Sequence, residues 1–175
     1  MIYLCEREIG FDATEIGFPS VMGCRAIVLV TGGGLFGYHL NGTLSQGKRT
    51  AFANFINGHV QGATAKRMLY AASAGAGLPQ DHQELRDIAA ALGYGGAIYW
   101  ASLPGAGSLY VHYTDVNHNT CSITQRAWSD AVDNVIDNKA PYLGNDRAMA
   151  NGAAPGNMFT NLSTAGLQAV YPTQI

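Results

Sequence analysis

The chain has 175 residues, a length suited to one domain spanning 1–175, and 47% of them are hydrophobic, enough to bury a sizeable core. Only 13% are charged and the formal net charge is -2, which disfavours a nucleic-acid partner and a polybasic membrane contact. No apolar run approaches the ~18 residues of a membrane span, and Glu6, Arg7 and Glu8 stand where a secretory leader would be apolar. The expectation is therefore a chain made soluble in the cytoplasm without a Sec signal. Cys5, Cys24 and Cys121 are odd in number and widely spaced, so they read neither as a disulfide framework nor as a zinc site.

Residues 2–9 mix apolar and charged positions and read as a first strand. Residues 16–23 are punctuated by Gly17, Pro19 and Gly23, so an irregular approach segment is expected there. Residues 25–30 form a continuous apolar run, the mark of a buried strand. Thr31-Gly32-Gly33-Gly34 reads as a turn, and residues 35–40 as the returning strand, ended by Asn41-Gly42. Gly32-Gly33-Gly34 is no phosphate loop, because no Lys-Ser/Thr follows it.

Further on, Phe52, Phe55 and Ile56 predict a helix over 45–57, and residues 66–73 return to strand character. Leu85, Ile88, Ala89 and Leu92 mark a helix over 81–92, with Gly93 placed to end it. Three strands are expected over 97–103, 108–115 and 120–127, then a short helix over 129–136. From Lys139 onward Gly, Asn, Pro and Ala dominate, and 139–175 reads as an irregular C-terminal segment. The pattern as a whole is α+β: a sheet or sandwich of mostly antiparallel strands flanked by two to three helices.

Chemistry concentrates in the Gly-turn hairpin. With a Thr31-Gly32 loop Cys24 stands opposite His39; with a Gly32-Gly33 loop His39 stands opposite Ala26, diagonal to Cys24. Either register puts both side chains on one face, whereas an odd-length loop would part them. An imidazole beside a thiol lowers the thiol's pKa and takes its proton, the minimum for attack on a carbonyl. Gly23 removes a side chain next to the nucleophile, and the Cys24 N–H is a candidate oxyanion donor. The bent segment before Gly23 offers a backbone carbonyl to orient His39. The plainer reading makes Cys24 a small buried hydrophobe and His39 a hydrogen-bonded structural residue.

His112, Asp115 and His118 form a conceivable metal cluster, but Asp115-Val116-Asn117-His118-Asn119 is read as a polar turn between two strands. His59 and His82 read as exposed surface residues, and Cys5 and Cys121 as core. No metal or other cofactor is expected.

Met22-Gly23-Cys24, an apolar strand, a glycine turn and Gly37-Tyr38-His39 together resemble the catalytic hairpin of the thiol glutamine deamidases. That superfamily includes the cytotoxic necrotizing factor catalytic domain, the Burkholderia lethal factor and the chemoreceptor deamidase CheD. The resemblance covers about residues 18–40. It implies a cysteine-dependent amidohydrolase that converts a protein glutamine to glutamate through a thioester. It also implies a bacterial toxin or effector delivered into a host cell, acting on a regulatory protein such as a small GTPase or a translation factor. By position, the family's His-orienting carbonyl falls on Phe18, where several members carry Thr; Met22 stands where the toxins carry Ser. Two alternatives remain open: a Cys-His protease or transglutaminase, and a binding or immunity-type module without catalysis.

Overall fold

The computed structural model describes residues 1–74, 79–104, 107–133, 146–150 and 162–175. In chain order the strands are β1 (Ile2–Tyr3), β2 (Glu8–Asp12), β3 (Glu15–Val21), β4 (Cys24–Thr31) and β5 (Gly34–Asn41). Helix α1 (Gln46–Gly58) and a single 3-10 turn (Val60–Ala63) lead to β6 (Lys66–Ala74), and α2 (Pro79–Ala91) leads to β7 (Ile98–Leu103). Strands β8 (Leu109–Val116) and β9 (Thr120–Ala127) are followed by the short α3 (Asp130–Asp133). Three brief strands close the chain: β10 (Arg147–Met149), β11 (Gln168–Val170) and β12 (Thr173–Gln174).

The expected α+β class is what forms, as two sheets. A five-stranded sheet has the order β1-β3-β8-β9-β11, and a seven-stranded sheet the order β10-β2-β5-β4-β6-β7-β12. Pairing is antiparallel except for β1 with β3 and β6 with β7. Phe18, Val111, Tyr113 and Ile123 of the smaller sheet share one apolar cluster with Cys24, Ala26, Val28 and Val30 of β4. On the other face of the larger sheet, Ile27, Leu29 and Tyr38 pack against Phe52 and Ile56 of α1 and Leu85 and Ile88 of α2. All eight residues of β4 are buried, because it has a sheet on one face and helices on the other. That double burial is why its sequence runs apolar without alternation.

Local contacts mark the helix ends. Ser45 caps α1, its hydroxyl accepting the Lys48 backbone N–H at 3.2 Å. Gly93 takes the left-handed conformation (φ +61°) just past α2, where a side chain would be strained.

Three expectations need correction. Residues 2–9 are not one strand: Cys5, Glu6, Arg7 and Glu8 make a turn, closed by the Glu8 N–H donating to the Cys5 carbonyl at 3.0 Å. Residues 16–23 are not irregular: most of them form β3, paired with β8. The pairing shifts between Phe18 and Val21, so a bulge takes up Pro19, which has no N–H to give, and Ser20 at φ +56°. The punctuation was real, but it bends a strand instead of abolishing it. Within the C-terminal segment, residues 147–149, 168–170 and 173–174 add edge strands to β2, β9 and β7. The expected helix over 129–136 is seen as α3, and its residues 134–136, like 139–145 and 151–161, lie outside the described residues.

Candidate functional site

The hairpin has a Gly32-Gly33 loop: Thr31 pairs with Gly34, Ala26 with His39 and Cys24 with Asn41. Cys24 and His39 are thus diagonal neighbours on one face of the larger sheet, the face turned toward the smaller sheet. Cys24 is also the first residue of that sheet after the chain leaves β3. The crossing runs through Met22 and Gly23, both exposed, with Gly23 at φ +66° and open space where a Cβ would stand. The thiol therefore sits beneath an unobstructed stretch of backbone at one end of the sandwich.

Gly37 prepares the place of His39. A Cβ there would lie 2.7 Å from Leu4 Cδ1 and 3.1 Å from Phe18 Cζ, so its absence lets both side chains close on β5. Leu4 is held from above by its N–H to the Gly17 carbonyl at 2.8 Å, and Arg7 N–H reaches the His39 carbonyl at 2.8 Å. Residues 4–7 thereby bridge the two sheets beside the histidine. His39 is fully buried, and its Nδ1 lies 2.8 Å from the Leu4 carbonyl oxygen. That bond makes Nδ1 the protonated nitrogen and leaves Nε2 as the ring's base. Among the described residues nothing hydrogen-bonds Nε2.

The orienting carbonyl expected near Phe18 is thus supplied by Leu4. Phe18 instead lays its ring edge on the imidazole, centroids 5.8 Å apart at 74°, and packs on Tyr113 in the same manner. No sequence signal marks a backbone carbonyl that arrives from the segment following β1. Glu6 and Asn41 were also missed. Cys24 Sγ donates to Glu6 Oε1 at 3.5 Å, and Asn41 Nδ2 donates to Glu6 Oε2 at 3.4 Å. The faint signal was the charged triplet Glu6-Arg7-Glu8 interrupting an otherwise apolar start.

Electrostatics overturn one expectation. The thiol is not lowered: burial first, then the Glu6 carboxylate, push Cys24 up to about 11, against weaker opposite pulls from the Met22 backbone and Arg25. Burial likewise lowers His39, so its imidazole is neutral at neutral pH. The resting pair is a protonated thiol and a neutral base, not a preformed thiolate–imidazolium.

The remaining candidates disperse. His112 faces Glu15 at 3.6 Å, whereas His118 pairs with Asp115 at 2.9 Å in the β8–β9 turn, where Asn117 and His118 both have positive φ. Among the described residues no three His, Cys, Asp or Glu side chains converge on a metal position. Cys121 is core, as expected, while Cys5 is half-buried. His82 is half-buried, its ring against Trp100 at 5.3 Å. His59 is buried, not exposed: Phe11, Phe36 and Phe55 surround it at 4.4, 5.3 and 6.0 Å. It borders an open pocket of about 740 Å³. Its Nδ1 accepts the Gln61 N–H at 3.2 Å and its Nε2 meets Asp146 at 3.1 Å, so neither nitrogen is left for chemistry.

No helix among the described residues is long and apolar enough to cross a membrane. No protein-family model matches the chain, and no curated protein matches it either.

Proposed function

We propose that the protein is a cysteine-dependent amidohydrolase that deamidates a glutamine side chain of a protein substrate. One observation carries this reading: Cys24 shares a face with a buried His39 whose Nδ1 is fixed by the Leu4 carbonyl and whose Nε2 has no partner among the described residues. A purely structural histidine gains nothing from a buried nitrogen without a hydrogen bond, which costs roughly 1–3 kcal/mol. The resemblance of residues 18–40 to the thiol glutamine deamidases supplies the reaction class.

The chemistry follows from the resting protonation states. As Cys24 Sγ attacks the carboxamide carbon, its proton passes to His39 Nε2 and the C–S bond forms. The Cys24 N–H, next to the open backbone of Gly23, is the donor offered to the oxyanion. His39 returns the proton to the nitrogen, the C–N bond breaks and ammonia leaves. Water then gives a proton to His39 and adds to the thioester, the C–S bond breaks, and the thiolate takes that proton back. The Leu4 carbonyl holds the imidazole in one tautomer and favours its charged form in between.

The family resemblance further suggests an effector role in a host cell, with a small GTPase or translation factor as substrate. Incubating wild type and Cys24→Ser with host-cell lysate tests the reaction. Site-mapped conversion of glutamine to glutamate with ammonia release, by wild type alone, is the expected result. Peptide-bond cleavage instead would make the pair a protease, and identical lysates would end the catalytic reading.

A further inference from the structure

The turn that carries Glu6 is built more firmly than an exposed loop requires. Buried Glu8 accepts the Cys5 N–H through Oε2 at 2.6 Å, the Glu8 N–H closes the turn on the Cys5 carbonyl, and Arg7 takes φ +72°. Arg7 N–H is tied to His39's own carbonyl, so the turn and the histidine move together. The outcome is a carboxylate with one oxygen 3.5 Å from the Cys24 sulfur and the other held by Asn41, the residue paired with Cys24 across the hairpin. Fully buried His39 adds, on the same face, an Nε2 without a partner among the described residues.

Resting on the deamidase reading above, we propose that Glu6 is a specificity residue that selects a neutral carboxamide over a carboxylate at Cys24. An acceptor beside the sulfur lies where the nitrogen of an attacked carboxamide comes to rest. The –NH2 group has two N–H donors for Glu6 Oε1, and it gains positive character as His39 protonates it. A substrate carboxylate offers no donor and meets like charge. The same repulsion drives off the glutamate product, so hydrolysis is not followed by rebinding. Asn41 is a positioning residue here: it fixes Glu6 Oε2 and leaves Oε1 facing the thiol. Before substrate arrives Oε1 accepts the thiol proton's hydrogen bond, so the approaching carboxamide exchanges one donor for another at the same oxygen.

Two alkylating reagents that differ only in this feature give the test, iodoacetamide and iodoacetate, read at Cys24 by peptide mass. In wild type the amide reagent is favoured well beyond its ratio on Cys24 of urea-unfolded protein. Glu6→Gln narrows that preference about fivefold, the worth of one exposed like-charge contact, and Glu6→Ala narrows it to a similar degree. Both substitutions also speed reaction with each reagent, because a negative neighbour of the thiol is gone, and the ratio separates the two effects. An unchanged ratio with both rates raised equally would overturn the inference, leaving Glu6 as a tuner of the thiol alone. If wild type also deamidated no lysate protein, the deamidase reading would fall, and this one with it.

Discussion

Two of the three buried histidines lie on opposite sides of the larger sheet, and they differ in how their ring nitrogens are satisfied. His59 is enclosed by Phe11, Phe36 and Phe55 and has both ring nitrogens engaged, by Gln61 and Asp146. His39 is packed as tightly, against Phe18, yet among the described residues only its Nδ1 is engaged. His59 ties Asp146, just before β10, to the end of α1; His39 keeps a nitrogen without a hydrogen bond, among the described residues, on the face it shares with a thiol. Burial does not set these two apart; the count of satisfied nitrogens among the described residues does.

The sharpest way to break that contrast is to exchange the losses. On the deamidase reading, His39→Ala removes the general base and lowers glutamine conversion by about 10²-fold or more, with His39→Gln as a variant that preserves volume. His59→Ala leaves conversion within a fewfold of wild type, as judged by site-mapped conversion in lysate. Equal losses in both variants would erase the distinction.

Next in size is Phe18→Ala. A fully buried ring that touches both His39 and Tyr113 is worth about 3–5 kcal/mol in a core. Denaturant unfolding should show that loss, with activity falling as His39 loses its wall. His59→Ala is expected to cost less, about 2 kcal/mol, from lost aromatic packing and an orphaned Gln61 N–H. The same denaturant titration measures it.

The smallest effect is on pH dependence. Burial lowers His39 below 6.5, so in acid the unfolded chain binds a proton that the folded chain refuses. Stability is complete above 6.5, the unfolded value, and falls as pH drops from there toward the folded value. His112, also lowered by burial, adds to the slope. His39→Gln should flatten the fall between pH 7 and 5 without removing it, in unfolding curves collected across that range. An unaltered slope would mean that His39 takes up its proton without cost.

Legibility followed how local each cause is. The β4–β5 hairpin was readable because a continuous apolar run and three glycines act within a few residues of each other, and strand parity then placed Cys24 and His39 on one face. Helices α1 and α2 were readable from their apolar spacing, and the end of α2 from Gly93. Strand β3 was hidden because Pro19 and Gly17 look like breakers until β8 is beside them to accommodate a bulge. Strands β10, β11 and β12 have two or three residues each, too short for any period, and exist because open sheet edges accept them. At the site itself, Leu4's carbonyl has no side-chain signature, and Glu6 reaches Cys24 only through the crossing of the sheets. The thiol's raised pKa was illegible for the same reason: it depends on burial and on Glu6, neither of them visible in the Gly23-Cys24 neighbourhood. His59 was misread because its aromatic enclosure draws Phe11 and Phe36 from distant strands.

The relation between Cys24 and His39 is tested most directly by the pH dependence of Cys24 alkylation with iodoacetamide, read by peptide mass in wild type and His39→Gln. A base-assisted thiol gives a shoulder on the acid side of the thiol's own rise, where His39 is already neutral and accepts its proton, followed by a rise toward the thiol's own value of about 11. His39→Gln should lose the shoulder and keep the rise. Superimposable curves with a single rise in both proteins would contradict a catalytic pair and leave Cys24 and His39 as neighbours in a core.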